Sequence, residues 1–479
     1  MNLLIALCLS TASAAEKKVE VEPVIDLWLS HDQTTAFPVD TEGTQGGQKP
    51  HIDMRQKLGA VFKSGDVAVH FALGGQPDQL WGSTWNVPGT IDERNRHTKG
   101  LNFPDLRKLS LVANLAPFQI ETGLTTAHWG LGMMANDGEH EPFFGHTEFG
   151  DRVVRARLTT KPSRESDWYF TAAWDRVLQD DLTLDARKQW TTQAIFSALW
   201  RRDVNQAGVN GIIRRQDEMV QDRTTHVTAI DAFTEVTIPV SEGVNFHLGA
   251  EVAGITGKTN RTTTYNSPDR LHILASGATA VGMFGFLEES LQLGVSAGYA
   301  SGDGDPNDDT IHDFTFDRNF GVGMVLFDEV MGAIDAAHHT IVTRPQYAGQ
   351  PPDGIEASVH EGAFRRASYL QPRFEYSPIS QVRLRGGVLL AWATAPISHG
   401  FYTHRNGGTP VNHLGQPTEG YGLGTEYDWS IQIQPFPDSE TIFSKTRLSL
   451  QGGHAILDSN MGGERMGRID RYIVMLHVL

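Results

Sequence analysis

Cationic side chains recur on one parity of segments that alternate apolar and polar residues. They are Arg55, Lys57, Arg155, Arg157, Arg365, Arg373, Arg383, Arg385, Lys445 and Arg447. Guanidinium groups gathered on one face bind carboxylates and phosphates, because the planar fork matches their oxygens. The competing reading is structural: Asp175, Glu251, Glu375, Glu426 and Asp428 share that face and can pair with the cations to brace a wall. A second group, Asp303, Asp305, Asn307 and Asp308 in a Gly-rich turn, carries the oxygen donors that Ca²⁺ takes. It is not an EF-hand. Asp308 stands where that loop needs Gly and Phe314 where it needs the bidentate Glu, so a solvated acidic turn is the alternative to a structural Ca²⁺. His140, His146, Glu139 and Glu141 are potential metal ligands at no enforced spacing. Gly294-Val295-Ser296-Ala297-Gly298 matches a serine-hydrolase pattern, but that chemistry needs a strand-to-helix turn. Here the Ser sits among alternating Leu291, Leu293, Val295 and Ala297, so the pattern reads as small residues within a strand. No Ser/His pair compels a hydrolase.

The elements that must hold these groups are strands. From Val19 onward, segments of about 10 to 14 residues show the period-two alternation of a strand. They fall at 19–30, 52–63, 66–76, 106–115, 117–127, 151–161, 167–177, 189–201 and 207–216. The second half supplies 224–238, 244–257, 271–286, 290–301, 362–377, 381–394, 421–434, 444–457 and 468–479. An even number, about 18, suits a closed antiparallel barrel with both termini on one side. Even-numbered connections are mostly tight, as at Ser64-Gly65, Ala116-Pro117 and Pro239 to Gly243. Odd-numbered ones are mostly long: 31–51, 77–105, 128–150, 302–361 and 395–420. Short turns on one side and long loops on the other predict an all-β transmembrane barrel, turns periplasmic and loops extracellular. A soluble sandwich would scatter its long loops.

In segment 189–201, Trp190, Thr192, Ala194, Phe196, Ala198 and Trp200 share one face. The two tryptophans are separated by about 33 Å of strand, which at a tilt of roughly 40° spans the height between two aromatic girdles. Segment 421–434 predicts Leu423, Tyr427, Trp429, Ile431 and Ile433 facing lipid. Segment 381–394 predicts Val382, Leu384, Val388, Leu390 and Trp392 outward, with Arg383 and Arg385 inward. Within the longest loop, Phe320 to Ala337 mixes apolar and polar residues as an amphipathic helix does, and predicts either a constriction folded into the mouth or an extracellular cap.

Residues 1–15 read as a cleaved signal peptide, with a short apolar run ahead of Ala12, Ser13, Ala14 and Ala15. The remainder, 16–479, reads as one barrel domain. Its only cysteine, Cys8, leaves with the signal, so disulfides and Cys-ligated metals are excluded. A net charge of −17 argues against nucleic acid as a partner and places the acidic excess in the loops. No apolar stretch reaches helical membrane length, but barrel strands are apolar on one face only and average to a polar sequence.

Tyr299-Ala300-Ser301-Gly302-Asp303 with Asp305-Pro306-Asn307-Asp308 resembles the alginate-export family of outer-membrane porins. Trp129-Gly130-Leu131-Gly132 to Asn136-Asp137-Gly138, then Gly150-Asp151-Arg152, is similar to a pattern in related large barrels. The resemblance implies a monomeric barrel of 18 strands in the bacterial outer membrane, with an Arg-rich lumen passing an anionic polysaccharide. It implies lipid and lipopolysaccharide as surroundings and the outer-membrane assembly machinery as a partner. That machinery usually reads a terminal aromatic residue, whereas this chain ends in Leu479. The expected function is passive transport of a polar or anionic solute, without covalent chemistry and without a cofactor beyond a structural Ca²⁺. A plugged barrel acting through its loops is the alternative.

Overall fold

Period-two alternation needs a sheet with two different solvents, and the computed structural model builds one sheet closed on itself. It describes residues 18–479 apart from 48, 83–104, 183–188, 220–221, 265, 268, 306, 348–359, 361 and 438–441; the segment read as a signal peptide lies outside the described residues. The barrel strands are β1 (Glu20–Thr34), β2 (His51–Ser64), β3 (Val67–Gly82), β4 (Asp105–Leu115), β5 (Phe118–Thr126) and β6 (Arg152–Thr160). Next come β7 (Trp168–Gln179), β8 (Gln189–Arg202), β9 (Asn205–Glu218), β10 (Arg223–Ser241), β11 (Val244–Thr259) and β12 (Leu271–Phe286). The last six are β13 (Leu291–Ala300), β14 (Ala367–Ile379), β15 (Val382–Ala393), β16 (Gly422–Ile433), β17 (Arg447–Leu457) and β18 (Arg468–Val478). Each strand pairs antiparallel with the next. The seam joins β1 to β18, from Leu27 opposite Val478 to Thr34 opposite Arg471. Every barrel strand therefore has a neighbour on both sides, as hydrocarbon requires because it offers no hydrogen-bond partner.

Tight turns at 65–66, 116–117, 203–204, 242–243 and 380–381 lie on the side of the two termini. The long connections 35–50, 127–151, 301–366 and 394–421 lie on the other, as the alternation of lengths predicted, while most of the long connection predicted at 77–105 lies outside the described residues. The outer surface carries an apolar band that includes Leu158, Val209, Ile213, Val252, Leu274, Leu450 and Val474. Exposed aromatics border it on both sides, Phe62, Phe118, Trp168 and Phe284 toward the turns and Trp81, Trp190, Tyr299 and Trp392 toward the loops. Trp200 sits opposite Trp168 at the turn side, so the two tryptophans of β8 do mark the two borders.

Three expectations change at the strand ends. Leu423 is buried rather than facing lipid, because the β15–β16 register skips it: Ala391 pairs with Gly424 and Trp392 with Gly422. A bulged residue changes face, which is how such irregularities re-aim a side chain. Arg365 precedes β14; it bridges to Thr315 and pairs with Asp313 at 2.6 Å, so it belongs to the long loop. Lys445 precedes β17, in a 3-10 turn over Ile442–Lys445.

The hydrophobic core lies inside the barrel, built by loops folded back into the lumen. Residues 301–366 contribute Phe314, Phe316, Met324, Val325, Leu326, Phe327, Val330, Ala333 and Phe364, all nearly inaccessible. This segment contains a π-helical turn (Leu326–Met331) running into helix α1 (Gly332–Val342), within and beyond the stretch predicted to be amphipathic. Met133 and Phe144 from the 127–151 loop join the same core.

Candidate functional site

A loop that enters a barrel brings backbone polar groups away from water, and these must be satisfied there. Inward carboxylates do this. Glu426 on β16 accepts the backbone N–H groups of Met324, Val325 (2.8 Å) and Leu326 (2.7 Å) at the start of the helical segment. Glu251 on β11 accepts Leu131 N–H at 2.6 Å, while the neighbouring Asp231 accepts the indole N–H of Trp129 at 3.1 Å. Arg471 on β18 donates to Asp32 on β1, to the carbonyl of Met324 and to Asp328. Lumen carboxylates that sequence parity placed inside thus hold the loops.

The 127–151 loop owes its shape to the residues that carried the resemblance. Gly150 N–H donates to Asp137 O at 3.1 Å, and a Cβ on Gly138, at φ +72°, would lie 1.7 Å from Glu148 O. Asn136-Asp137-Gly138 and Gly150-Asp151 therefore close the neck of the loop backbone against backbone. The loop then crosses the lumen. Arg55 on β2 donates to Thr147 O at 3.0 Å and pairs with Asp26 at 2.8 Å, and Lys57 holds Glu139 at 2.5 Å. Farther round the wall, on β14 to β17, Glu141 meets Arg447 and Gln432, Arg385 donates to Phe143 O at 3.2 Å, and Arg373 lies over the Phe143 ring at 4.3 Å.

These two insertions leave a passage of about 790 Å³ along β6 to β11. Its lining reaches from Asp180, Asp181 and Leu182 on the loop side to Arg201 and Gln206 on the turn side. Arg155, Arg157, Arg201 and Arg214 face it. Cross-strand register sets one row of Arg155, Asp175, Gln193 and Arg214, and another of Arg201, Gln206 and Glu235. Arg155 holds Asp175 through two bonds of 2.8 and 2.7 Å, Arg157 meets Glu121 at 2.8 Å, and Arg214 meets Asp180 at 2.5 Å. Asp151, Asp180, Asp181 and Asp317 line the upper part. Burial, then the charge of its carboxylate neighbours, holds Asp151 and Asp317 well above the usual carboxylate range, so this end carries less negative charge than its residue count suggests.

Of the ten predicted cations, Arg155 and Arg157 line this passage. Arg55, Lys57, Lys445 and Arg447 line a separate chamber of about 690 Å³ beneath the crossing loop, on the turn side. Arg383 and Arg385 share Glu375, at 3.3 and 2.8 Å. Arg365 lines a cavity of about 280 Å³ among the extracellular loops. Arg201 and Arg214 were missed, although they continue the inward parity of Gln193 and Ser197 on β8 and of Asn210 on β9.

The acidic turn uses its carboxylates on itself: Asp303 accepts Asp305 N–H at 3.1 Å, Asp305 accepts Asn307 N–H at 3.1 Å, and Asp308 accepts Thr310 N–H at 2.8 Å. Burial, then the charge of Asp313, pushes Asp303 up to about 6. The grouping of His140, His146, Glu139 and Glu141 is not brought together. Glu139 pairs with Lys57 on β2 and Glu141 with Arg447 on β17, and half-buried His146 lies 5.0 Å from the Trp28 ring. Ser296 lies within β13, its hydroxyl 3.1 Å from that of Tyr369.

No protein-family model matches this chain, and no curated protein sequence matches it. Solved structures do. The fold is similar to that of OccAB1 of Acinetobacter baumannii (TM-score 0.53, 10% identity, covering 97% of this chain and 99% of that one). It is also similar to a BenF-like porin from Pseudomonas fluorescens Pf-5 (TM-score 0.51, 11% identity, covering 95% and 98%). A third is OpdK of Pseudomonas aeruginosa, solved with vanillate (TM-score 0.52, 8% identity, covering 95% and 98%). The likeness is one of fold. The shared fold is the large closed β-barrel of Gram-negative outer-membrane porins, and the apolar band with its aromatic borders is the outer surface of a membrane-spanning wall. The alginate-export family is not shown.

Proposed function

We propose that this protein is a diffusion channel for small organic anions across the outer membrane. The observation that carries the reading is the passage along β6 to β11, faced by Arg155, Arg157, Arg201 and Arg214 over its length. Arginines spaced along a channel attract a carboxylate and pass it between weak sites, and weak, repeated binding permits release. The crossing loop and the helical insertion divide the lumen into compartments of a few hundred Å³, a size for small solutes. This favours a small solute over the polysaccharide that the sequence resemblance implied. The vanillate in the OpdK structure is an aromatic carboxylate, which agrees with that class.

The test is single-channel conductance of the refolded protein in a planar bilayer, titrated with an aromatic monocarboxylate, its uncharged amide and an acidic polysaccharide. Channel openings interrupted by the monocarboxylate alone are expected. The filled half of the lumen favours one second reading, a plugged barrel that acts through its loops. A silent bilayer with correctly folded protein would overturn the channel and support the plug.

A further inference from the structure

The neck of the crossing loop assembles a constellation that transport of an organic anion does not require. His128 lies two residues after the end of β5, and the backbone closure at Asp137 and Gly150 brings Asp137 and His140 back to it. Asp137 Oδ1 lies 3.7 Å from His128 Nδ1 and 3.1 Å from His140 Nδ1, and one ligand atom from each of the three residues falls within 4.8 Å of the others. The two imidazoles stack with centroids 3.9 Å apart and planes 18° from parallel. His128 Nδ1 is buried and has no hydrogen-bond partner. Both rings line the passage, and Glu235 on β10 faces the same space.

We propose that His128, Asp137 and His140 form a binding site for a divalent transition-metal ion, open to the passage. Ligand atoms about 2.0–2.1 Å from a tetrahedral ion stand about 3.3–3.4 Å apart, and the two separations at Asp137 bracket that distance. Two imidazole nitrogens with one carboxylate select Zn²⁺, Cu²⁺, Ni²⁺ or Fe²⁺ over the oxygen-seeking Ca²⁺ and Mg²⁺. The ligands are gathered but not yet aimed, since the stacked rings must turn apart before both Nδ1 lone pairs can meet one ion. Asp137 Oδ1 also accepts Glu139 N–H at 3.0 Å, so the carboxylate is oriented by its own loop. Binding replaces the His140 Nδ1–H···Asp137 hydrogen bond with two bonds to the metal, so His140 gives up its Nδ1 proton and each bound imidazole carries one proton, on Nε2. Three protein ligands leave at least one position facing the passage, where water or a carboxylated solute completes the shell. The site stands whether or not the passage conducts.

The experiment uses the complete refolded barrel in detergent, stripped with a chelator and titrated with Cu²⁺, which imidazole sites of this kind bind most tightly. Electron paramagnetic resonance then reports bound copper and the nitrogens attached to it. One copper per chain with coupling to two imidazole nitrogens is expected, with affinity at least tenfold lower in His128→Ala, His140→Ala and Asp137→Asn. His272→Ala, on the exposed face of β12, should match the wild type. Heat-dependent electrophoretic mobility confirms that each barrel is folded. His140→Ala removes the most exposed of the three side chains, so this variant tests the site even where His128→Ala fails to fold. Absence of copper from the wild type, or equal uptake by the folded His140→Ala protein, overturns the site. Because the readout is spectroscopic, a silent bilayer leaves it intact, and a conducting barrel without copper rejects the metal site while keeping the channel.

Discussion

Arg157 keeps 31% of its side chain exposed while it meets Glu121, and Arg201 is exposed beside Gln206. These are the cations a passing carboxylate meets least compensated. Two unit charges about 7 Å apart in a water-like medium interact by about 0.6 kcal/mol, which is about threefold in binding. Arg157→Gln and Arg201→Gln should each weaken block by an aromatic monocarboxylate about threefold, read as the concentration that halves the open-channel current. Arg155→Gln is a poorer probe because it leaves the inaccessible Asp175 carboxylate with Gln193 as partner but without its counter-charge. At this scale the sequence revealed which side chains point inward, because side-chain direction in a strand follows parity. It could not reveal which cations remain for solute. Arg55 and Lys57 are engaged by Thr147 and Glu139, residues far along the chain that return through the lumen. Parity carries no information about such a return.

Among the elements, the helical insertion and the crossing loop decide how much lumen remains. Glu426 places one carboxylate on three backbone N–H groups at the start of the helical segment, a favourable place for negative charge. Glu426→Gln removes the charge and half the acceptor capacity, costing about 1.5–3 kcal/mol of docking. Noisier conductance and faster proteolysis within residues 318–347 are expected, with barrel mobility on gels unchanged. The extracellular loops carry a pH response. His338 and His413 are pushed down to about 4, His399 well below its usual range and His360 downward, in each case chiefly by burial, and Asp335, His339, Arg365 and Asp40 are titratable or charged neighbours of these rings. A buried neutral histidine contributes stability that is full above the ordinary value of about 6.5 and is lost as pH falls toward 4. Asp303, pushed up to about 6 in the same cavity, acts oppositely, favouring the docked state as pH falls from 6 toward 4. Four rings against one carboxylate predict that these loops loosen on acidification from pH 7 to 5, seen as faster hydrogen exchange over 332–342 and 399–413. Strand positions were legible because alternation persists for many residues. Strand ends were not, since Arg365 and Lys445 continue the parity of strands from which loop contacts remove them.

For the molecule as a whole, the two-solvent surface makes a sharp prediction. Val252 lies at mid-height of β11, 55% exposed to lipid, next to the inward Glu251. Val252→Lys should destabilise the barrel by about 2–4 kcal/mol in lipid vesicles, measured by denaturant titration. The overall architecture was legible because short and long connections mostly alternate along the chain; the filling of the lumen was not, since a loop's length does not reveal whether it folds inward. One residue joins these levels. Arg471 lies in the final strand, and its guanidinium reaches Asp32 in the first strand and Asp328 in the helical insertion. The clasp that secures the insertion is therefore incomplete until the last strand meets the first. During biogenesis the insertion cannot lock before the wall has shut, and a chain truncated before Arg471 would lose the seam and the internal lock together.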